Sequence, residues 1–171
     1  AINGYAQTTF KVDEIKYNIT SENTVEVART FLSKATEINI PNTVEYNGIT
    51  YSVTAIGKMA FYSQKIISIV IPQTVKSINE SAFSYSQLTN ITISNSVTYI
   101  GDNAFSNCIA LKSIVIPNNV SKISTKAFYN CSNLNSVTMH NSITELASYV
   151  FYGCKSLVSI TIPNSVTYIG G

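Results

Sequence analysis

Apolar residues two positions apart return along this chain at a nearly fixed distance, as Ile38/Ile40, Ile69/Ile71, Ile91/Ile93, Ile114/Ile116, Val137/Met139 and Ile160/Ile162. Spacing of two puts both side chains on one face of a strand. Each copy therefore predicts a short strand, with the intervening Val70, Thr92, Val115, Thr138 or Thr161 turned to solvent. That outward column is β-branched, which suits a pleated surface. Pro72, Pro117 and Pro163 close their strands, since proline cannot donate the next ladder hydrogen bond. A second apolar pair, three apart, follows in Val75/Ile78, Val97/Ile100, Val120/Ile123, Ile143/Leu146 and Val166/Ile169, and predicts a second wall. Phe61, Phe83, Phe105, Phe128 and Phe151 then recur at intervals of 22, 22, 23 and 23. A period in the twenties marks a solenoid, whose units are too small to fold alone and must stack.

Gly57, Asn79, Gly101, Ser124, Ala147 and Gly170 precede the phenylalanine segment. Most are residues that tolerate positive φ or cap a helix start, so a single helical turn is expected around each Phe. The fold that results is a β-rich solenoid of α/β type: a curved parallel sheet of short strands alternating with single helical turns. Before about Gly57 the period is absent. Phe10/Val12, Ile15/Tyr17/Ile19 and Val25/Val27 alternate over short runs, with Asp13-Glu14 and Ser21-Glu22-Asn23 as turns. They predict an antiparallel β cap over residues 1–37, shielding the first rung of a solenoid over 38–171. Asn47-Gly48 predicts a hairpin within 43–53, inserted after the first strand. The chain stops in mid-repeat at Ile169-Gly170-Gly171, and the expectation is that further residues or a partner cover that end.

Composition changes this picture mainly by what it excludes. Charged residues make up 12% of the chain against about 25% in an average domain. Ser, Thr, Asn and Tyr fill the difference, giving a surface built for hydrogen bonding rather than ion pairing. A net charge of +2, with Lys58, Lys76, Lys112, Lys122, Lys126 and Lys155 at different places in their repeats, argues against nucleic acid. No stretch reaches the roughly 18 apolar residues of a membrane helix. Gly4-Tyr5-Ala6-Gln7 has the small-residue spacing of a signal-peptidase site, the alternative being an ordinary terminus.

Candidate chemistry is sparse. Cys108, Cys131 and Cys154 fall on successive rungs and are expected to be buried, unpaired thiols, disulfide or metal binding being the minor readings. His140 is the only histidine, and Asp13 and Asp102 are the only aspartates; no nucleophile elbow, His-Glu-x-x-His, Cys-x-x-Cys or phosphate loop accompanies them. The reading is no enzyme, no metal and no cofactor. Tyr62, Tyr129 and Tyr152 follow the core Phe, while Tyr99 and Tyr168 precede the second-wall Ile. They are read as covering the edges of the coil, with a recognition surface as the alternative. Asn-x-Ser/Thr triplets such as those at Asn18, Asn90, Asn119 and Asn130 are ascribed to chance in so Asn-, Ser- and Thr-rich a chain.

The frame Cys-x-x-Leu-x-x-Ile-x-Ile-Pro-x-x-Val-x-x-Ile-x-x-x-Ala-Phe, read from Cys108 to Phe128, resembles the BspA-like leucine-rich repeats of bacterial surface proteins. The resemblance runs from about Ile38 to Gly171, and Tyr17-Asn18-Ile19 with Thr24-Val25-Glu26-Val27 is similar to that family's N-terminal cap. Departures are Gln64 and Ser86 for Cys, Ser94 and His140 for Pro, and Val150 for Ala. The resemblance implies an extracellular or cell-surface protein that binds host matrix proteins or neighbouring cells, with no catalytic residues. Together with the low-charge repetitive surface, it makes the expected ligand face Val70, Thr92, Val115, Thr138 and Thr161, flanked by Asn90, Lys112 and His140. A structural spacer of a larger surface protein and a glycan-binding module are the other two readings. The absence of Trp and the few acidic residues weigh against the last.

Overall fold

The computed structural model describes residues 8–34 and 36–171; the signal-peptidase-like Gly4-Tyr5-Ala6-Gln7 lies outside them. The chain opens with β1 (Thr9–Val12), β2 (Ile15–Ser21) and β3 (Thr24–Val27), an antiparallel meander that turns at Asp13 with φ of 52°. After β4 (Glu37–Asn39), β5 (Thr43–Tyr46) and β6 (Ile49–Ile56) form the hairpin, whose Asn47 and Gly48 both have positive φ, as a type I′ turn requires. Phe10 of the meander stacks on Tyr46 of the hairpin at 4.3 Å.

From there each rung adds one strand to each of two walls. The first wall holds β4, β7 (Ser68–Val70) and β9 (Asn90–Thr92) in one parallel sheet, and β11 (Ser113–Val115) with β13 (Ser136–Thr138) in another. The second wall holds β6, β8 (Ser77–Ile78), β10 (Tyr99–Ile100), β12 (Lys122–Ile123), β14 (Glu145–Leu146) and β15 (Tyr168–Ile169), all parallel. The expectation that the first apolar column carries the main sheet needs correction. The continuous sheet is the second wall, and it extends through the parallel pair β3 and β6 into the cap.

The break in the first wall has a cause in chain length. The corner from Gln64 to Ile66 and from Ser86 to Leu88 spans two residues, whereas Cys108 to Leu111, Cys131 to Leu134 and Cys154 to Leu157 span three. Each longer corner closes a turn of its own, the Leu N–H bonding the Cys carbonyl at 3.0 to 3.1 Å. The extra residue shifts the strand that follows. Ile71 N–H reaches Thr92 O and Ile116 N–H reaches Thr138 O, both at 2.9 Å, but Ile93 makes no corresponding bond, and β9 and β11 do not pair with each other. Every other spacing within the rung is constant, so the second wall stays in register. A further correction concerns the sixth copy: residues 159–162, with Thr161, form no strand, and this rung pairs only through β15. It has a neighbour on one side only, and Ile162 and Ile169 are exposed.

The expected helical turn around each Phe is also absent; no helix occurs among the described residues. In its place stands a run of linked β-turns. In the first rung Ala60, Tyr62 and Gln64 N–H bond the carbonyls of Gly57, Met59 and Phe61, each three residues back. The alternate N–H groups of Met59, Phe61 and Ser63 point along the axis to the carbonyls of Glu80, Ala82 and Ser84 in the next rung. The pattern repeats for Phe83, Phe105 and Phe128, bonded to Ala104, Ala127 and Val150 at 2.8 to 3.0 Å. Such a ribbon needs positive φ twice per rung, and it falls at Met59/Ser63, Ser81/Tyr85, Asn103/Asn107, Lys126/Asn130 and Tyr149/Gly153. The glycine-like column beginning at Gly57 is thus not the positive-φ site. At Gly101 the demand is space, since a Cβ there would lie 2.9 Å from the Glu80 backbone nitrogen. Gly153 meets both demands, with φ of 76° and Asn130 Oδ1 where a Cβ would sit.

This ribbon stacks the phenylalanines face to face. Successive centroids from Phe61 to Phe151 lie 5.5, 5.2, 5.3 and 5.7 Å apart, with interplanar angles of 10° or less. Phe61, Phe83, Phe105 and Phe128 are fully buried, and both walls pack onto them in one continuous core. Phe105→Ala, which removes a middle ring, is expected to cost about 3 to 5 kcal/mol in denaturant unfolding; a loss below about 1 kcal/mol would contradict the stacked core. Deleting the exposed Ile109 shortens the third-rung corner, and is expected to bring β11 into pairing with β9. Hydrogen exchange reads this as new protection of the Ile93 amide, and unchanged exchange in a folded variant would refute the corner-length account.

Candidate binding face

The outward column is exposed as the pattern requires. In parallel register Asn39 faces Val70 and Val70 faces Thr92, and beyond the break Val115 faces Thr138. Val70 is 49% and Val115 57% exposed, large values for apolar side chains. The structure thus brings Val70, Asn90 and Thr92 together on one sheet and Val115 and Thr138 on the other. Lys112 sits exposed just before β11, its carbonyl accepting from Asn135 N–H. Thr161 is exposed but outside any strand. His140 is half-buried rather than exposed, and its carbonyl accepts Ile143 N–H at 3.2 Å in the corner turn. The same turn forms at Pro72, Ser94, Pro117 and Pro163, so Ser94 and His140 replace proline without changing the path.

On the first sheet the column lies in a groove of about 920 Å³. Val70 and Thr92 line it together with Asn39, and Asn42, Gln73 and Asn95 stand on its rim. Lys76 is the one charged residue of the lining, and no carboxylate contributes. The rim belongs to a longer column that the apolar pattern does not reveal. Asn42, Gln73, Asn95, Asn118, Asn141 and Asn164 each lie two residues after the second inward residue of the strand, and all six are exposed. Apart from Asn42, which accepts a long bond from Thr74, none uses its carboxamide in a hydrogen bond among the described residues. Each carboxamide offers two donors and an acceptor. The signal was present in the sequence as a period of polar residues, legible once polar columns are aligned as the apolar ones are.

The opposite corner holds the thiols. Cys108, Cys131 and Cys154 are free and buried, and each S–H donates to the carbonyl of a phenylalanine in the preceding rung: Phe83, Phe105 and Phe128, at 3.0 to 3.1 Å. Ser86 lies against Cys108 at 3.3 Å. Gln64, in the first rung, turns to the cap, and its Oε1 accepts Leu32 N–H at 2.9 Å. The two departures from cysteine therefore have different reasons. Burial pushes the Cys108 thiol up to about 12 and the Cys154 thiol up to about 11, and raises Cys131 further, with the neighbouring thiols as a second cause. These are donors held in the neutral form, not nucleophiles. Among the described residues no three His, Cys, Asp or Glu side chains are grouped to hold a metal, and no helix is long and apolar enough to cross a membrane.

Two walls of short parallel strands, a phenylalanine stack and a cap joined to one wall define a leucine-rich repeat solenoid. The pattern of the BspA-type leucine-rich repeat region matches residues 54–171 in six copies, and the chain belongs to that family. A leucine-rich repeat protein from Bacteroides capillosus is 33% identical, over 77% of this chain and 98% of that one, with a TM-score of 0.69. The pneumococcal vaccine antigen PcpA shares the fold at 21% identity and a TM-score of 0.81, covering 96% of this chain and 46% of that one. A leucine rich cell surface protein from Faecalibacterium prausnitzii does so at 24% identity and 0.71, covering 98% of this chain and 52% of that one. The chain thus spans about half the length of the latter two. No curated sequence matches it.

Because the thiols are raised in the folded state above their ordinary value of 9.0, unfolding releases protons above that pH. Their contribution to stability is fully present below pH 9.0 and is lost as pH rises towards 11 and 12. Denaturant midpoints are expected to fall between about pH 8 and 10.5, and to fall less when all three cysteines are replaced by serine. An equal fall in that triple variant would show that the thiols do not carry the dependence.

Proposed function

We propose that this chain is a protein-binding module of a cell surface, and that it engages its ligand with the first wall. The observation that carries this reading is the groove over Asn39, Val70 and Thr92, edged by Asn42, Gln73 and Asn95, of which Gln73 and Asn95 make no carboxamide hydrogen bond among the described residues. Exposed β-branched residues supply apolar contact, while Asn42, Gln73 and Asn95 supply directional hydrogen bonds. The near absence of charge favours recognition by shape and hydrogen bonding over long-range attraction. Family membership and the cell-surface relative from Faecalibacterium prausnitzii support the location. A host matrix protein or a protein of a neighbouring cell is the class of partner this reading implies, with no catalysis and no cofactor. The spacer reading rests on the same repeats and requires this face to bind nothing.

The test is a panel of immobilised matrix and cell-surface proteins probed with the intact chain. Saturable binding is expected, and Val70→Glu with Thr92→Glu should abolish it without lowering thermal stability, since both positions are exposed. The pair Val115→Glu with Thr138→Glu should weaken it less, lying beyond the break in the wall. Binding that survives both pairs would exclude this face, and silence across the panel would favour the spacer.

A further inference from the structure

Lys126 and Tyr129 on the fourth rung stand beside Tyr149 and Tyr152 on the fifth, residues at equivalent places in the repeat, and the four enclose a concave site of about 300 Å³. Tyr129 and Tyr152 stack at 5.2 Å with 9° between their planes, and Tyr149 meets Tyr152 edge to face at 6.0 Å. The Lys126 ammonium lies 5.7 Å from the ring centroids of both Tyr129 and Tyr149. Two adjoining aromatic walls, 50% and 60% exposed at Tyr149 and Tyr152, thus flank a fixed positive charge.

Among the described residues the Lys126 ammonium meets the Tyr129 and Tyr149 rings but forms no ion pair, whereas Lys58 and Lys122 are each paired to a glutamate of the next rung. The phenol oxygens of Tyr129, Tyr149 and Tyr152 make no hydrogen bond among the described residues. The backbone beneath the site is tied between the two rungs. Lys126 N–H bonds Ser148 O at 3.0 Å and Asn130 N–H bonds Tyr152 O at 2.7 Å. Lys126 and Tyr149 occupy the first positive-φ position of their rungs, where residues of their kind are uncommon, yet the rungs before them carry Met59, Ser81 and Asn103 there. Only here does the repeat set a cation and three phenols around one hollow.

We propose that this hollow is a second binding site, for a sugar unit bearing one carboxylate. A pyranose ring offers an apolar C–H face to Tyr149 or Tyr152 and hydroxyls to the phenols, and its carboxylate meets Lys126. Its volume, at the lower limit for ligand sites, suits one ring. It lies on the turn ribbon, not on the strand wall, so its occupancy is independent of the protein ligand proposed above. Carboxylated sugars end or line many cell-surface and matrix glycans, and such a site would let one module hold a glycoprotein through both its chain and its glycan.

Calorimetry and ¹H–¹⁵N NMR with the intact chain test this, using glucuronic acid, glucose and inorganic sulfate as probes. Glucuronic acid is expected to bind with shifts confined to Lys126, Tyr129, Tyr149, Tyr152 and their neighbours, and glucose about tenfold more weakly. Lys126→Gln should reduce glucuronic acid to the level of glucose, and Tyr152→Ala should weaken both, while Val70→Glu with Thr92→Glu leaves both unchanged. Absence of glucuronic acid binding, equal binding of glucose, or sulfate competing as well as the sugar acid would each overturn the assignment. So would unaltered glucuronic acid binding in a Lys126→Gln variant whose NMR spectrum shows it folded.

Discussion

The structure depends on one division of labour among backbone N–H groups. In the phenylalanine ribbon alternate amides close their own turns and the others reach the carbonyls of the next rung. This fixes the spacing of rungs at the spacing of the Phe rings, a little over 5 Å, which is also compatible with strand pairing on both walls. Backbone polar groups are paired between rungs along the ribbon and the second wall, and along the first wall except between β9 and β11. Only nearest neighbours touch, so stability accrues by rung and the cap is needed where the first rung would expose its sheet edge. The parallel pairing of β3 with β6 meets that need by extending the second wall itself.

Because rung spacing is fixed by the ribbon, the remaining freedom lies at the corner between the cysteine position and the following Leu or Ile. One residue more or less there changes the first wall and leaves the second untouched. The face best suited to binding is therefore the one whose continuity the sequence can vary. The groove lies on the short-corner rungs, where β4, β7 and β9 remain paired, and ends where the longer corners begin. The thiols mark that same transition. They appear with the longer corner, where each satisfies a phenylalanine carbonyl, and are replaced by Ser86 and Gln64 where the corner is short.

Much of this was legible in the sequence, for reasons that differ by element. The inward Ile and Val columns and the stacked phenylalanines follow from periodicity, and burial bears them out at Ile38, Ile40, Ile69, Ile71, Ile114, Ile116 and the rings from Phe61 to Phe128, whereas Ile91, Ile93, Val137, Met139 and Phe151 are only partly buried and the last rung is open. The hairpin followed from Asn47-Gly48, whose chemistry matches a single turn type. The turn ribbon was not legible, because its positive-φ positions are held by Met59, Ser81, Lys126 and Tyr149 as readily as by Asn103. Inter-rung hydrogen bonds impose that conformation, and local preference does not announce it. The column from Gly57 to Gly170 misled in the opposite sense: its small residues answer to crowding between rungs. Of the ligand face, Val70, Thr92, Val115 and Thr138 stand where strand alternation puts them, but their division into two sheets depends on pairing that alternation does not encode. The amide column was open to view and was passed over because alignment by apolar residues treats polar ones as background.

A repeat of this kind separates what holds the molecule together from what it shows to others. Inward columns are constrained by stacking, so their variation is small: Ile, Val, Leu or Met, and Ala beside Phe. Outward columns carry no such constraint, and a residue repeated there needs a reason in solvent or in a partner. For the carboxamides from Gln73 to Asn164 no hydrogen bond among the described residues supplies one. The tyrosines show the converse case, a column that is aromatic at Tyr62, Tyr129 and Tyr152 and hydroxyl at Ser84 and Ser106. Ser84 is buried and donates to Ser106 O, so in the middle rungs the position serves the coil, whereas at the fifth rung Tyr152 stands 60% exposed. The edge-covering reading of the tyrosines fits Tyr62 and Tyr129, which are half-buried, but not Tyr99, Tyr152 and Tyr168, whose rings are exposed and shield little of the coil.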